Sequence, residues 1–447
     1  MGLLTTATQS ETAQFPTSRL TRPPLQELAD PVDRNIMEVF VARQAIFDRR
    51  LKVYGYELLF RPCQDCDSAG DTDSTSSLQV ITNSFCSIGV EKLLAGTRAF
   101  INFPEDLLSD GRAFSLPPSS TVIEILESVK PVPSVISACR TLRERGYTLA
   151  LDDFFHLNDW DELTDLVSVI KVDFRATTIG EQEALAKRYS ARGIRMLAEK
   201  IETTEEFQRA CAMGYQYFQG YFFARPVIVS RREIPGSKLG YLRVLQEVHR
   251  PELELLALEA LIQREVSLAS KLLRYINSSM FGWINPVQSI RQALALLGEQ
   301  EIRNWISLAA LPALACDKPD ELIRTALVRA RFSELLAHWA QLGHRKADLF
   351  LLGLFSLLDA MLNRPLAEIL AELRLSGDIA DALLGTGSAN QSLAGVYALV
   401  REYEAGDWEA LSDTAARLRV PKEMITDLYL EAIAWADQIF REGIRSN

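Results

Sequence analysis

The sequence predicts an α/β barrel of the TIM-like (β/α)8 type, followed by an α-helical bundle. Between residues 39 and 222, short apolar segments with strand character alternate with helical segments, and about eight such units close naturally into a barrel. Beyond residue 235, strand signals nearly vanish and Leu, Ala and Ile recur at helical spacing. The length of 447 residues also exceeds one ordinary domain. We therefore predict a flexible tail over residues 1–35, a barrel over 36–234 and a helical domain over 235–447.

The elements follow in order along the chain. Residues 1–35 are rich in Thr, Ser, Gln and Pro and show little periodicity, which is typical of a flexible tail. The first two predicted strands, joined by a turn at residues 48–50, have the pattern of a hairpin. Strands are predicted over residues 39–47, 52–60, 98–103, 121–126, 147–154, 167–173, 194–199 and 215–222. Helices are predicted over residues 77–94, 132–144, 160–166, 181–192 and 205–213 in the barrel, and over 239–248, 252–263, 267–277, 286–297, 299–311, 319–342, 347–362, 365–372, 377–384, 393–405, 408–418 and 421–441 beyond it.

Composition excludes several function classes. The net charge of −11 (48 basic minus 59 acidic residues) gives no general basic surface for nucleic acid. No apolar run reaches the roughly 18–20 residues of a membrane span, and no targeting pattern stands out. The six cysteines therefore fit a reducing cytoplasm. The Cys63-x-x-Cys66 spacing resembles half of a zinc site, but no second pair completes it, so free thiols in a loop are favoured.

Polar residues fall near the C-terminal ends of the predicted strands. In a barrel these ends meet at one mouth, where active sites are built. The residues concerned are Glu57, Asn102, Glu124, Asp152, Asp153, Lys171, Asp173, Glu199 and Gln219. Oxygen ligands without Cys or His select hard divalent cations such as Mg²⁺, Mn²⁺ or Ca²⁺. Two such cations with a water molecule between them form an arrangement that hydrolyses phosphodiesters. In such a site, Lys171 is expected to orient the water or neutralise charge on the phosphate, and Arg61 to bind a phosphate oxygen.

The ordered motifs between residues 39 and 234 resemble the EAL domain, the family that hydrolyses or binds cyclic di-GMP. The matching segments are Glu57-Leu58-Leu59 with Phe60-Arg61, Asn102, residues 123–128 (IEILES), residues 151–154 (LDDF), residues 171–173 (KVD), residues 198–203 (AEKIET), and residues 218–222 (FQGYF) with Pro226. The resemblance implies hydrolysis to linear pGpG with Mg²⁺ or Mn²⁺, and Ca²⁺ as a candidate inhibitor. It also suggests a homodimer by analogy.

The resemblance implies a role for each matching residue. The implied metal ligands are Glu57, Asn102, Glu124, Asp152 and Asp153. Lys171 is implied to lie near the nucleophilic water, and Glu199 completes the catalytic group with Glu57 and Lys171. Arg61, Asp173 and Gln219 are expected to contact the substrate, while Glu127 and Glu202 support the loops of the site.

Two departures from the EAL pattern leave the activity open. After Asp153-Phe154 the family has a glycine and a Thr-Gly-Tyr-Ser-Ser-like loop, whereas this chain has residues 155–160 (FHLNDW). Lys200 replaces a glycine beside Glu199, where it either brings a cation near the phosphate or forms an ion pair that blocks the site. The alternative to a phosphodiesterase is therefore a catalytically inactive receptor for cyclic di-GMP, or a scaffold that inhibits another phosphodiesterase. His156 is interpreted as an exposed loop residue.

The helical half lacks the residues of a metal-dependent phosphohydrolase. None of its histidines is followed by aspartate, so an adjacent His-Asp metal-binding pair is missing from the sequence. Residues 267–279 and 289–298 resemble the HDOD domain, a regulatory or partner-binding module. The resemblance implies a protein partner for this half. Within it, Asn277-Ser278-Ser279 is interpreted as a helix cap in preference to a ligand contact.

Overall fold

The described residues form a closed barrel of eight strands. The computed structural model describes residues 39–62, 94, 96–109, 114, 116–154, 161–224, 236–278, 281–283, 285–373, 375–386 and 392–440. The strands are β1 Val39–Asp48, β2 Val53–Pro62, β3 Arg98–Phe103, β4 Thr121–Ile125, β5 Thr148–Leu151, β6 Val169–Asp173, β7 Arg195–Glu199 and β8 Tyr217–Gln219. They follow one another around the barrel in chain order. Strand β1 runs antiparallel to both of its neighbours, β2 and β8, whereas β2 to β8 run parallel.

The reversal between β1 and β2 is a tight turn built by an aspartate. The Asp48 carboxylate accepts hydrogen bonds from the backbone N–H groups of Arg50 and Lys52, at 2.8 and 3.0 Å. Leu51 takes up the left-handed conformation that the turn needs, with φ of 57°. The predicted hairpin is therefore confirmed, and it places β1 upside down relative to the other seven strands.

Helices cover the outside of the barrel. They are α1 Glu105–Ser109, α2 Pro133–Glu144, α3 Asp161–Thr164, α4 Ile179–Ser190 and α5 Thr204–Met213, and a 3-10 turn spans Tyr221–Ala224. Capping boxes begin α4 and α5, because Thr178 and Thr203 each exchange hydrogen bonds with the glutamate three residues later. Gly214 ends α5 with φ of 102°.

Two layers fill the barrel interior. Side chains alternate between the two faces of a strand, so every second residue points inward. The deeper layer is apolar and consists of Ile46, Phe100, Val122, Ala150, Val169, Leu197 and Tyr217. Two residues further towards the mouth, the same inward rows supply Asn102, Glu124, Asp152, Lys171, Glu199 and Gln219. The strand period therefore produces a polar layer directly above an apolar floor.

The second half of the chain is helical. Its helices are α6 Gly236–Val248, α7 Leu255–Arg264, α8 Val266–Ile276, α9 Ile290–Leu297, α10 Glu299–Leu314, α11 Asp320–Trp339, α12 Lys346–Phe355, α13 Leu358–Leu362, α14 Leu366–Leu373, α15 Gly377–Leu384, α16 Ser392–Ala405, α17 Trp408–Leu418 and α18 Lys422–Ile439. The predicted barrel and helical bundle are thereby confirmed as fold classes. Among the described residues, no helix combines the length and the apolar character that crossing a membrane requires.

The helical half packs against the first strand of the barrel. The Phe40 ring of β1 stacks on the Trp408 indole with ring centroids 5.4 Å apart. The Tyr403 hydroxyl lies 3.0 Å from the Val41 carbonyl oxygen, to which it donates a hydrogen bond, and accepts one from the Val41 N–H at 3.4 Å. Strand β1 is therefore the part of the barrel that contacts the bundle. One apolar core runs through both halves.

Several elements differ from the sequence prediction. The strand predicted to residue 154 ends at Leu151, because Asp153 has φ of 40°, outside the strand region. The strand predicted to residue 222 ends at Gln219, because Gly220 has φ of 137° and packs against the Ile201 backbone. The helix predicted over 347–362 is two helices, α12 and α13, and the short helix α1 was not predicted. The predicted tail over residues 1–35, the helix over 77–94 up to residue 93, and the Cys63 and Cys66 thiols lie outside the described residues.

Candidate active site

The centre of the barrel mouth is a buried lysine surrounded by carboxylates. Lys171 lies on β6 with about 1% of its side chain exposed. Its ammonium is 2.8 Å from Asp152 Oδ1, 2.8 Å from Glu199 Oε1, 2.9 Å from Glu124 Oε1 and 3.5 Å from Glu57 Oε2. A buried cation is costly unless it is paired, and these four acids supply the pairing.

Side-chain amides fix the orientation of Glu57. Asn102 donates a hydrogen bond to Glu57 Oε1 at 3.2 Å, and Gln219 donates one to Glu57 Oε2 at 2.6 Å. The same Gln219 nitrogen also donates to the Gln44 side-chain oxygen at 2.7 Å. Glu57 therefore has both oxygens engaged, and its direction depends on residues from β1, β3 and β8.

Three carboxylates form the more accessible part of the site. One oxygen each from Asp152, Asp153 and Glu199 lies within 4.8 Å of the others, which is close enough for all three to bind one cation. The backbone after β5 sets this arrangement. The Asp152 N–H donates to the Ile125 carbonyl at 3.0 Å, and the Phe154 N–H donates to the Lys171 carbonyl at 3.0 Å. The left-handed Asp153 between these two hydrogen bonds directs its side chain to the mouth.

A second lysine lies at the edge of the mouth. Lys200 directly follows β7, and its ammonium is 2.5 Å from Asp173 Oδ2 and 3.9 Å from Asp153 Oδ2. Asp173 is held in place by the backbone N–H groups of Arg175 and Ala176, at 2.6 and 3.1 Å. Lys200 is therefore ion-paired with carboxylates at the edge of the mouth.

The pKa values of the site carboxyl groups follow from burial and from the two lysines. Burial raises the pKa of Glu124 and of Glu199 well above the ordinary value, despite the adjacent Lys171 ammonium. Burial also acts to raise the pKa of Glu57, but Lys171 and the two amide hydrogen bonds outweigh it and the pKa is lowered. The pKa of Lys171 is raised well above its usual range, because the surrounding carboxylates outweigh burial. The surrounding carboxylates thus favour the charged form of Lys171.

The donor set fits a divalent metal ion. Within the described part of the chain, Asn102 Oδ1, Glu124 Oε2 and Asp153 Oδ1 are buried side-chain oxygens without a hydrogen-bond donor. Buried oxygens normally have a donor or a cation, so unsatisfied ones in a carboxylate cluster call for a ligand. All of the candidate ligands are oxygens, the preference of Mg²⁺, Mn²⁺ and Ca²⁺. The residues present therefore suit such an ion.

The structure brings most of the predicted site residues together. Glu57, Asn102, Glu124, Asp152, Asp153, Lys171, Asp173, Glu199 and Gln219 all lie at the mouth in one network of contacts. Glu127 is exposed in the turn after β4, and Glu202 lies at the rim with its carboxylate 3.8 Å from Arg175. The Arg61 side chain and residues 155–160, which include His156, are outside the described part of the structure.

Gln44 is the site residue that the sequence reasoning missed. The prediction was based on the C-terminal ends of strands. Strand β1 is reversed, so its N-terminal part faces the mouth. Gln44 of β1 pairs with Glu57 of β2 across the hairpin. Ile46, two residues further along β1, pairs with Gln219 of β8. A polar residue between the apolar residues Ala42 and Ile46 of the same inward row was the available signal.

Two polar residues of the helical half, the exposed Asn277 and the buried His249, make structural contacts. Asn277 donates to the carbonyls of Leu273 and Val287, at 2.9 and 2.8 Å, and accepts from the Val287 N–H, so it joins the end of α8 to the following loop. His249 contacts the Ser307 hydroxyl at 2.9 Å, and burial lowers the pKa of this histidine to about 3. Both residues serve packing and capping in these contacts.

Comparison with known proteins identifies two family matches. The EAL domain model matches residues 81–226, and the HDOD domain model matches residues 235–373. The chain is 37% identical over 412 residues to the uncharacterized protein YuxH of Bacillus subtilis, covering 90% of this chain and 99% of that protein. It is 31% identical over 414 residues to the cyclic di-GMP phosphodiesterase CdgJ of Vibrio cholerae, covering 92% of this chain and 95% of that protein.

A solved structure is also similar to part of the chain. It is that of Bacillus subtilis YkuI, a protein with an EAL domain, in complex with cyclic di-GMP and calcium. The two chains are 18% identical with a TM-score of 0.36, and the match covers 52% of this chain and 74% of YkuI.

Proposed function

The chain belongs to the EAL–HDOD family, and from this premise we propose that its barrel binds cyclic di-GMP and hydrolyses one phosphodiester bond to give linear pGpG. The observation that carries the proposal is the layer of carboxylate and amide oxygens around Lys171 at the barrel mouth. Such a layer is suited to a divalent cation and a phosphodiester, and a relative with 31% identity over almost its whole length bears the name of this activity.

The proposed metal-holding residues are Glu57, Asn102, Glu124, Asp152, Asp153 and Glu199. A bound Mg²⁺ or Mn²⁺ would activate a water molecule and neutralise phosphate oxygens, and Ca²⁺ is expected to bind as an inhibitor. Lys171 supplies a fixed positive charge where negative charge develops on the phosphate. Gln219 and Asn102 hold Glu57 in one orientation, which limits the rearrangement that the reaction requires. Asp173 and Gln219 at the mouth, together with Arg61, are proposed to contact the substrate.

The decisive experiment follows the formation of pGpG by chromatography. Purified full-length protein is incubated with cyclic di-GMP and Mg²⁺ or Mn²⁺, beside Glu57→Ala. We expect product with the parent and a loss of at least about 100-fold in the variant, since an oriented carboxylate of the metal group is removed. Glu205→Ala, an exposed glutamate in the first turn of α5, is the matched control and should retain parental turnover. Equal turnover in the Glu57 and Glu205 variants would show that the assigned site is wrong.

The second candidate function is a receptor or scaffold without hydrolysis. The observation that favours it is the Lys200 ion pair with Asp173, close to Asp153, because a cation already neutralises part of the site. In that case cyclic di-GMP raises the melting temperature without forming pGpG. A protein that neither turns over nor binds the nucleotide is a scaffold.

The helical domain is proposed to regulate the barrel or to bind a protein partner. Its helix α11 contacts strand β2 next to the site. The Tyr56 hydroxyl of β2 donates a hydrogen bond to Glu321 of α11 at 2.9 Å, and Tyr56 directly precedes Glu57 in the chain. A partner that moves α11 would therefore act close to a proposed metal ligand. Homodimer formation through the barrel is proposed by analogy with the family.

A further inference from the structure

Lys200 occupies a backbone position that is suited to glycine. Its φ is 55°, in the left-handed region that an L-residue adopts at a cost. The position directly follows Glu199 and precedes Ile201, whose N–H donates to the Gln219 carbonyl at 3.0 Å. The backbone here is thus fixed between two strands of the site. A lysine at this point carries a conformational penalty that a glycine would not.

The lysine ammonium is anchored on Asp173 and reaches Asp153. Asp173 is mostly buried and accepts two backbone hydrogen bonds besides the lysine, so it provides a rigid anchor. That hydrogen bond raises the pKa of Lys200, and the ammonium remains charged. The lysine side chain itself is 57% exposed, which leaves it free to move towards solvent. The pair is therefore both formed and displaceable.

The negative charge of Asp153 is not balanced by a contact with Lys171 among the described residues. The carboxylates of Glu57, Glu124, Asp152 and Glu199 all contact Lys171. For Asp153, the lysine contact that the described residues show is the longer one to Lys200, at 3.9 Å. The Asp153 Oδ1 atom is buried without a hydrogen-bond donor among the described residues. Asp153 is the oxygen ligand at which an added cation and Lys200 meet.

We propose that Lys200 is a tethered counter-cation that competes with a divalent metal ion for Asp153. When the metal ion binds at Asp152, Asp153 and Glu199, the lysine ammonium leaves Asp153 and stays on Asp173. The metal affinity is lowered by the repulsion between the two cations and by the lost attraction to Asp153. The inference rests on the proposed function only in taking those three carboxylates as a metal-holding group. It goes beyond that function by assigning Lys200 the control of metal affinity.

The test is isothermal titration of full-length protein with Mn²⁺ alone. Lys200→Gln removes the charge and keeps a non-glycine residue at the left-handed position, whereas Lys200→Gly removes the charge and the backbone penalty. We expect both variants to bind Mn²⁺ at least about fivefold more tightly than the parent, because the loss of one cation near the site is common to them. Lys187→Gln, an exposed lysine in the last turn of α4, should leave the dissociation constant within about twofold.

The outcomes separate this inference from the proposed function. Parental affinity in both Lys200 variants, tighter binding in Lys200→Gly alone, or no Mn²⁺ binding by any of the proteins would overturn it. Formation of pGpG is measured on the same samples. Tighter Mn²⁺ binding without pGpG would support the role of Lys200 and contradict hydrolysis, whereas pGpG with unchanged affinities would do the reverse.

Discussion

At the scale of single residues, Lys171 decides whether the barrel mouth is stable without a metal ion. Its ammonium contacts four carboxylates that are themselves almost buried. Removing one partner from a buried ion-pair network leaves the remaining charges uncompensated, which costs more than the network contributes as a whole. The lysine is therefore a structural cation for these carboxylates, in addition to the charge that we propose it offers to a phosphate.

Lys171→Met, which keeps an unbranched side chain of similar size and loses the charge, is expected to be less stable than the parent. In EDTA, we expect the free energy of unfolding from urea titration to fall by about 3–5 kcal/mol. Mn²⁺ should restore part of the loss, because it binds the folded state through the same carboxylates. The exposed Lys187→Met should change stability by less than about 0.5 kcal/mol. A small loss in EDTA, or a loss that Mn²⁺ does not reduce, would argue against Lys171 as the balancing cation.

At the scale of secondary structure, the alternation of side chains along a strand explains which site residues could be predicted from the sequence. Glu124, Lys171 and Glu199 were found because each lies at the C-terminal end of a parallel strand, two residues above an inward apolar residue. The same reasoning missed Gln44, because a reversed strand presents its other end to the mouth. It also left the Lys200 partner open, since a flexible side chain after a strand can reach several carboxylates. The predicted hairpin already implied this reversal, so Gln44 could have been predicted from the sequence. The conformation of a flexible side chain such as that of Lys200, by contrast, is not encoded by residue type.

Strand β1 gives a prediction through Gln44. Its side-chain oxygen accepts from Gln219, which in turn orients Glu57, so Gln44 is a positioning residue. In Gln44→Leu the buried Gln219 amide loses an acceptor, and we expect turnover of cyclic di-GMP to fall about tenfold, equivalent to about 1.4 kcal/mol. The affinity for Mn²⁺ should also weaken. A loss of global stability alone would leave the Mn²⁺ affinity of the folded protein unchanged. Gln263→Leu on the exposed face of α7 is the control. Parental turnover and affinity in Gln44→Leu would remove Gln44 from the site.

At the scale of the whole molecule, the two halves share a core. Strand β1 belongs to the barrel by hydrogen bonding, yet its Phe40 ring and the Val41 backbone contact Trp408 and Tyr403 of the helical half. Arg43 of the same strand lies over the Tyr56 ring, with the guanidinium carbon 4.4 Å from the ring centroid, and Tyr56 donates to Glu321 of α11. Interfaces of this kind, apolar at the centre with buried polar contacts, couple the unfolding of the parts that they join.

The shared core predicts that the full-length chain unfolds in one calorimetric transition. Trp408→Ala removes the indole that stacks on Phe40, and such a buried aromatic truncation costs about 3–5 kcal/mol. Because the loss falls on the interface, we expect the transition to divide into two peaks, one for the barrel and one for the bundle. Mn²⁺ should then shift only the barrel peak, since the candidate ligands all belong to the barrel. Trp283→Ala, at an exposed tryptophan of the helical half, should keep a single peak. Two independent peaks already present in the parent would mean that the contacts along β1 do not couple the domains, and that a signal from the helical half must reach Glu57 by another route.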